Sequence, residues 1–274
     1  MDFLLYQTKI IREADFNPQA LVLKDLLPIT YSLWFAHGEI PFLYKHLESI
    51  QLCLAELNIA SDKINFTETE RLLHRLLNKN KAFLGGWIHL KLFLSPTDVF
   101  LVATVEAHPE RQLPLNDQGA MAIVSKVPVC STLQQPAYQP LHQIRNLIEH
   151  FSNFNSRNNL SILCNHNGVV TQTQDSNIFA LKKDILYTPA LDTGCFEDHL
   201  RNPIIASAKM VGLKIQETDS LKPAELESMD ELFAASEKRG VIWILGLNNK
   251  RYIRKTTALI WETLDKVLWP RRLA

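Results

Sequence analysis

The sequence predicts an α+β fold in two domains, and three observations carry that prediction. Residues 1–110 hold strand-like runs that enclose two amphipathic helical stretches. The stretch from His108 to Asp117 is polar, holds Pro109 and Pro114, and breaks the apolar pattern, which places a linker at 111–117. Residues 118–274 then run through short β-type segments punctuated by turn residues, with a striped helix near the end.

Taken in order, Phe3 to Arg12 alternates enough to be a strand, Asp15 to Pro18 is a turn, and Ala20 to Leu23 is a second strand. Tyr31 to Ala36 is a third, ended by His37 and Gly38. Pro41 opens a helix to about Leu57, because Leu43, Leu47, Ile50, Leu54 and Leu57 recur at helical spacing. Thr67 with Glu70 reads as a capping box for a second helix that buries Leu72, Leu73, Leu76 and Leu77. Phe83 to Leu94 and Val99 to Glu106 form a hairpin about Ser95-Pro96-Thr97-Asp98, and Gly85-Gly86 is read as a bulge in preference to a close backbone approach.

In the second domain a strand from Ala120 to Val127 leads into a Pro- and Gln-rich loop, Pro128 to Pro140, and a helix from about Leu141 to Phe154. Leu160 to Cys164 is a strand that begins the hairpin system running on through Gly168 to Pro189. Glu197 to Val211 is a helix that Pro203 must kink or confine to its first turn. Leu213 to Thr218 is a strand, Pro223 to Met229 a short helix, Glu231 to Ala235 and Val241 to Leu245 are strands, and Thr257 to Leu268 is the last helix. The most distinctive stretch is Gly168 to Pro189, GVVTQTQDSNIFALKKDILYTP, which reads as two hairpins in series.

Composition narrows the function classes. Twenty-nine basic and twenty-nine acidic residues cancel, which removes the electrostatic case for nucleic acid or an anionic membrane. Met1 to Arg12 does not read as a signal peptide, and no run has the ~18 apolar residues of a membrane helix. Cys53, Cys130, Cys164 and Cys195 include no C-x-x-C and read as reduced thiols of a cytoplasmic protein. Cys164 and His166 have no second pair at zinc-like spacing, so no metal is expected.

The Gly168–Pro189 stretch resembles the class IV pyridoxal-phosphate enzymes, the branched-chain and D-amino-acid aminotransferases and aminodeoxychorismate lyase. Gly168, Val170, Thr171, Ser176, Asn177, Ile178, Phe179, Leu186, Thr188 and Pro189 fall at the positions of that family's G-x-V-T-E, S-N-I-F and L-x-T-P segments. A weaker match lies at His46, Leu47 and Glu48, with Ser49 where the family has arginine. The resemblance implies a D-amino-acid aminotransferase-like fold, with an N-terminal α/β sandwich and a C-terminal barrel-like domain. It also implies a pyridoxal phosphate cofactor in the cleft between them and a homodimer.

The residues that would hold the cofactor depart from the family pattern. A Schiff base needs a lysine amine. The family's K-x-L-N lysine, thirty residues ahead of Gln172, falls on His142, with Ile144 at the leucine and Arg145 at the asparagine. No lysine occurs from Val127 to Leu181. Gln172 stands where a glutamate would pair with the pyridinium nitrogen, and it carries no charge. The phosphate segment G-I-T-R reads Asp198, His199, Leu200, Arg201, so an acid stands where a dianion would bind. The later phosphate loop reads Ala235, Ser236, Glu237, and an arginine of the first domain's third strand is replaced by Trp34 or Phe35.

The resemblance therefore places a vestigial cofactor site at Gln172, Ser176, Asn177, His199, Leu200, Arg201, Ala235 and Ser236, with His142 at the lysine position. Three readings stand at this point. The chain is a repurposed or non-catalytic protein holding a small molecule in the old cleft. Or it is an active aminotransferase or aminodeoxychorismate lyase using an unaligned lysine such as Lys126. Or it is a pyridoxal-independent enzyme built on His142, Arg145, Gln172, Asp198, His199 and Glu237.

Overall fold

The computed structural model of the 274-residue chain describes residues 1–18, 27–59, 64–95, 98–126, 128 and 159–270. These divide into two compact units, one ending at Leu113 and the other beginning at Pro114. The expected strand at Ala20–Leu23, the loop 129–140 and the helix 141–154, with His142 and Arg145, lie outside the described residues.

The N-terminal unit is an antiparallel sheet covered by two helices. Strands β1 (Phe3–Tyr6), β2 (Lys9–Arg12), β3 (Leu27–Ala36), β4 (Gly85–Leu94) and β5 (Val99–His108) lie in the order β2-β1-β5-β4-β3. The single strand expected over Phe3–Arg12 is instead a hairpin, because Gln7 takes a left-handed conformation, φ 54°, and reverses the chain. Helix α1 (Leu43–Glu56) buries Leu43, Leu47, Ile50 and Leu54 against one face of the sheet, and α2 (Phe66–Lys79) adds Leu72, Leu73, Leu76 and Leu77. Each such leucine contributes on the order of 2 kcal/mol of burial. The cap of α2 is Asn65, two residues ahead of the expected Thr67, and its side-chain oxygen accepts from the Glu68 N–H at 2.9 Å.

Gly85 and Gly86 are not a bulge. Both keep regular register with Ala36 and Phe35 on one side and with His108 and Ala107 on the other. They permit close approach instead: Gly86 has φ +151°, and a Cβ there would stand 2.1 Å from the Glu106 carbonyl oxygen and 2.9 Å from the Phe35 ring. Gly86→Ala is expected to cost about 2 kcal/mol of stability by urea unfolding, while a surface control such as Tyr44→Ala stays within about 0.5 kcal/mol.

The C-terminal unit is a mixed sheet. It contains β6 (Leu115–Val124), β7 (Asn159–Cys164), β8 (Val170–Thr173), β9 (Asn177–Lys182), β10 (Ile185–Pro189), β11 (Lys214–Thr218), β12 (Glu231–Ser236), β13 (Gly240–Leu247) and β14 (Lys250–Arg251). Their order is β11-β10-β9-β12-β13-β6-β7-β8, with β14 on β13. β6 starts at Leu115, ahead of the expected Ala120, so the last residues of the expected linker are strand.

Helices α3 (Arg201–Met210), α4 (Pro223–Leu226) and α5 (Thr256–Leu268) complete the unit. α3 begins at Arg201, four residues later than expected, which leaves Pro203 in its first turn. Among the described residues no helix is long and apolar enough to cross a membrane.

The Gly168–Pro189 stretch contributes one hairpin of its own, not two. β9 and β10 pair antiparallel around Lys183, but β8 pairs with β7 at the far end of the sheet. Thr173 still makes the tight turn into β9, donating its N–H and Oγ–H to the Ser176 carbonyl at 2.8 and 3.0 Å. That turn carries the chain from one end of the sheet to its middle, where β9 lies between β10 and β12. Phe179 and Phe233, paired across β9 and β12, stack with centroids 5.0 Å apart and fix the register there.

Candidate functional site

One hydrogen-bonded network in the C-terminal unit gathers most of the sequence-predicted site residues. It is organised around the segment 195–200, which joins the 3-10 turn Leu191–Thr193 to α3. Two buried amide side chains hold this segment. Gln172, on β8, accepts the Phe196 N–H through its Oε1 at 2.6 Å. Asn177, on β9, donates its Nδ2 hydrogen to the Phe196 carbonyl and accepts the Asp198 N–H at 3.1 Å. A fully buried glutamine and asparagine on neighbouring segments must satisfy their polar atoms, and the backbone of 196–198 supplies the partners.

Asp198 is the centre of the arrangement. Its Oδ1 accepts two backbone N–H groups, that of Leu200 at 2.9 Å and that of Glu237 at 2.9 Å. The first belongs to the N-terminus of α3, whose leading amides would otherwise lack partners. The second belongs to the turn between β12 and β13. The side chain closes a cradle of convergent N–H groups at a helix start, the kind of place where anions bind. A carboxylate from the chain itself occupies it.

The remaining predicted residues divide between this network and its supports. Ser176 donates its hydroxyl to Ser236 Oγ at 2.9 Å, tying the start of β9 to the end of β12. Ala235 is fully buried and pairs in register with Asn177 and Val241. Leu200 is buried and takes part through its N–H, and His199 is half-buried beside it. Arg201 is not part of the cradle. Its guanidinium, 2% exposed, donates to the Pro189 carbonyl at 2.9 Å and pairs with Glu217 at 2.7 Å, so it locks α3 onto β10 and β11.

In the N-terminal unit Trp34 and Phe35, expected in place of a family arginine, are both fully buried and on opposite faces of β3. Phe35 is in the core under the helices, and Trp34 packs against Trp87 with centroids 4.9 Å apart. Lys126, the candidate unaligned lysine, is exposed just past the end of β6.

Two features of the network escaped sequence reasoning. Asp198 reads as a repelling charge from its position alone, yet an aspartate can also accept the N–H two residues on, as this one does from Leu200 just ahead of α3. Cys195 was read only as a reduced thiol. It is buried with Sγ 3.5 Å from the Ala190 carbonyl, and burial pushes the thiol pKa up to about 11. Iodoacetamide at pH 8 should therefore leave Cys195 unmodified in the native protein and label it fully after denaturation. Mass mapping of Cys195 alkylated in the native state would contradict this packing.

Comparison with known proteins gives a consistent family picture. The family model described as amino-transferase class IV matches residues 30–245. The probable branched-chain-amino-acid aminotransferase of Thermotoga maritima is 30% identical over 103 residues, 38% of this chain and 37% of that protein. That sequence match thus spans little more than a third of the relative's length. Among solved structures, the branched-chain aminotransferase of Thermoproteus uzoniensis with norvaline superposes with a TM-score of 0.82 at 16% identity, over 99% of this chain and 96% of that one. The branched-chain aminotransferase of Thermobaculum terrenum in its PLP form gives 0.81 at 15% identity, over 99% and 95%. Both likenesses are likenesses of fold.

Proposed function

The chain belongs to the class IV aminotransferase family, and from that premise we propose that it has given up Schiff-base chemistry on pyridoxal phosphate and holds a small molecule that lacks a phosphate group. The observation that carries this reading is the Asp198 carboxylate on the Leu200 and Glu237 amides. A family cofactor would bring a phosphate dianion to that helix start. Those two amides are already paired with a carboxylate, and a second anion at about 4 Å would be repelled by about 4 kcal/mol per unit charge at an effective dielectric near 20. Displacing the side chain would leave a half-buried carboxylate in need of new partners.

The rest of the donor set points the same way. Arg201, the one retained cation of the segment, is engaged with Glu217 and Pro189. Gln172 offers no charge for a pyridinium, and its Oε1 is engaged by Phe196. Among the described residues, those at this helix start do not fit the phosphate of pyridoxal phosphate, so no step through it is derived.

The alternative is a pyridoxal-phosphate enzyme using Lys126. It is favoured by the family and by the relative solved in its PLP form, and opposed by the exposure of Lys126. Titration with pyridoxal phosphate and with pyridoxal, followed by tryptophan fluorescence, separates the two. Equal, weak responses are expected. Binding of the phosphorylated form tighter by about a hundredfold, or ~2.7 kcal/mol, would mean that the cradle opens to phosphate and would remove the proposal. The family expectation of a homodimer is kept as part of the proposal, to be read by sedimentation.

A further inference from the structure

A different constellation stands on the N-terminal unit, on the sheet face turned away from α1 and α2. Ser32 of β3 and His89 of β4 are direct cross-strand partners, and Glu106 of β5 lies diagonally across from His89. Ser32 Oγ is 3.2 Å from His89 Nδ1, and His89 Nε2 is 2.8 Å from Glu106 Oε2. A carboxylate only accepts, so in the neutral ring the proton sits on Nε2 and is donated to Glu106. Nδ1 is then left with its lone pair and accepts the Ser32 hydroxyl proton. The hydroxyl is aimed at a base, and the base is oriented by an acid.

We propose that Ser32, His89 and Glu106 form a nucleophile, general base and positioning residue for acyl transfer from esters, a proposal independent of the reading given for the C-terminal unit. The chemistry needs this order of groups because a serine hydroxyl is a weak nucleophile until a neighbouring base takes its proton. Ser32 Oγ attacks the ester carbonyl carbon as its proton passes to His89 Nδ1. The C–O bond of the ester then breaks, and the leaving alcohol takes that proton. Water next attacks the acyl carbon, giving a proton to His89 Nδ1; the bond from that carbon to Ser32 Oγ breaks, His89 returns the proton to Oγ, and the carboxylic acid departs.

The surroundings set the substrate class. Trp87, half-buried, is two residues from His89 on the same face, and its ring lies 5.8 Å from that of His108, making an aromatic wall on one side. Lys91, exposed and two residues the other way on the same strand face, places a cation on the other side of His89. This fits esters with an apolar group beside the carbonyl.

Stability gives these contacts little to do. The His89 and Glu106 side chains are 28% and 63% exposed, so the pair is a surface interaction, and variants at these positions should fold normally.

The test begins with the unaltered full-length protein. A fluorophosphonate probe should label it, with the adduct mapped by mass to Ser32. Hydrolysis of p-nitrophenyl acetate should fall to the buffer rate in Ser32→Ala and by roughly a hundredfold in His89→Phe. Glu106→Gln should slow acylation about tenfold or more, and Glu106→Asp should restore part of it, a rescue that a merely structural role would not produce. No adduct, an adduct on another residue, or an unchanged rate in Ser32→Ala would overturn the proposal.

Discussion

Asp198→Gly is expected to open an anion site at the start of α3. Removing the side chain frees the Leu200 and Glu237 amides together, and both already point at one place. They add to the positive end of the α3 dipole, which favours an anion within the first turn. The variant should bind pyridoxal phosphate about a hundredfold more tightly than pyridoxal, a difference of ~2.7 kcal/mol, as measured by calorimetric titration.

It should also lose about 1–2 kcal/mol of stability, because the bond to the Leu200 N–H and a tie to the β12–β13 turn disappear, and added phosphate should return part of that loss. Asp198→Asn is the informative control. It removes the charge but keeps an acceptor oxygen on the same amides, so it should bind phosphate far less well than the glycine variant. Equal binding by the two would mean that charge alone, not occupation of the amides, closes the site.

Glu231→Ala is expected to give the largest loss of stability. Glu231 opens β12 and is 2% exposed. Its two carboxylate oxygens accept the Thr256 N–H at 2.7 Å and the Thr257 N–H and Oγ–H at 2.8 Å each. These are the leading donors of α5, the helix that puts Ile260 and Leu264 into the unit's interior. Charge-assisted hydrogen bonds at a helix N-terminus are about twice as strong as neutral ones. Alanine would leave three donors without a partner in a buried place, so about 3–4 kcal/mol should be lost in urea unfolding. Glu231→Gln, which keeps an acceptor, should lose about half as much. A loss below about 1 kcal/mol in the alanine variant would show that α5 does not depend on this cap.

The fold was legible where apolar spacing is regular. Leu43, Leu47, Ile50 and Leu54 give α1 from the sequence, and the long β-type runs give β4 and β5. Reading failed where turn geometry or long-range pairing decides. Gln7 carries no local signal for the left-handed turn that divides the first hairpin. The pairing of β9 with β12 joins residues far apart in the chain, which no local period records, whereas β8 forms a short-range hairpin with the preceding β7.

What the sequence offers is a set of candidate positions, some of which are neighbours in the fold. Gln172, Asn177, Asp198, Leu200, Ser176 and Ser236 do come together. What spacing could not give is the direction of the bonds. Asp198 turns inward to its own amides, and Arg201 turns to Glu217 and Pro189 and away from the cradle. The capping role of Glu231 was missed because its partners lie twenty-five residues later.

We propose that this chain holds the class IV fold without its Schiff base. The most direct measurement is an absorption spectrum after incubation with pyridoxal phosphate, then borohydride reduction and mass mapping of every lysine. The account predicts no new band at the visible edge and no pyridoxyl lysine. A band, with a reduced adduct on Lys126 or any other single lysine, would contradict it and make amino-donor assays the next step.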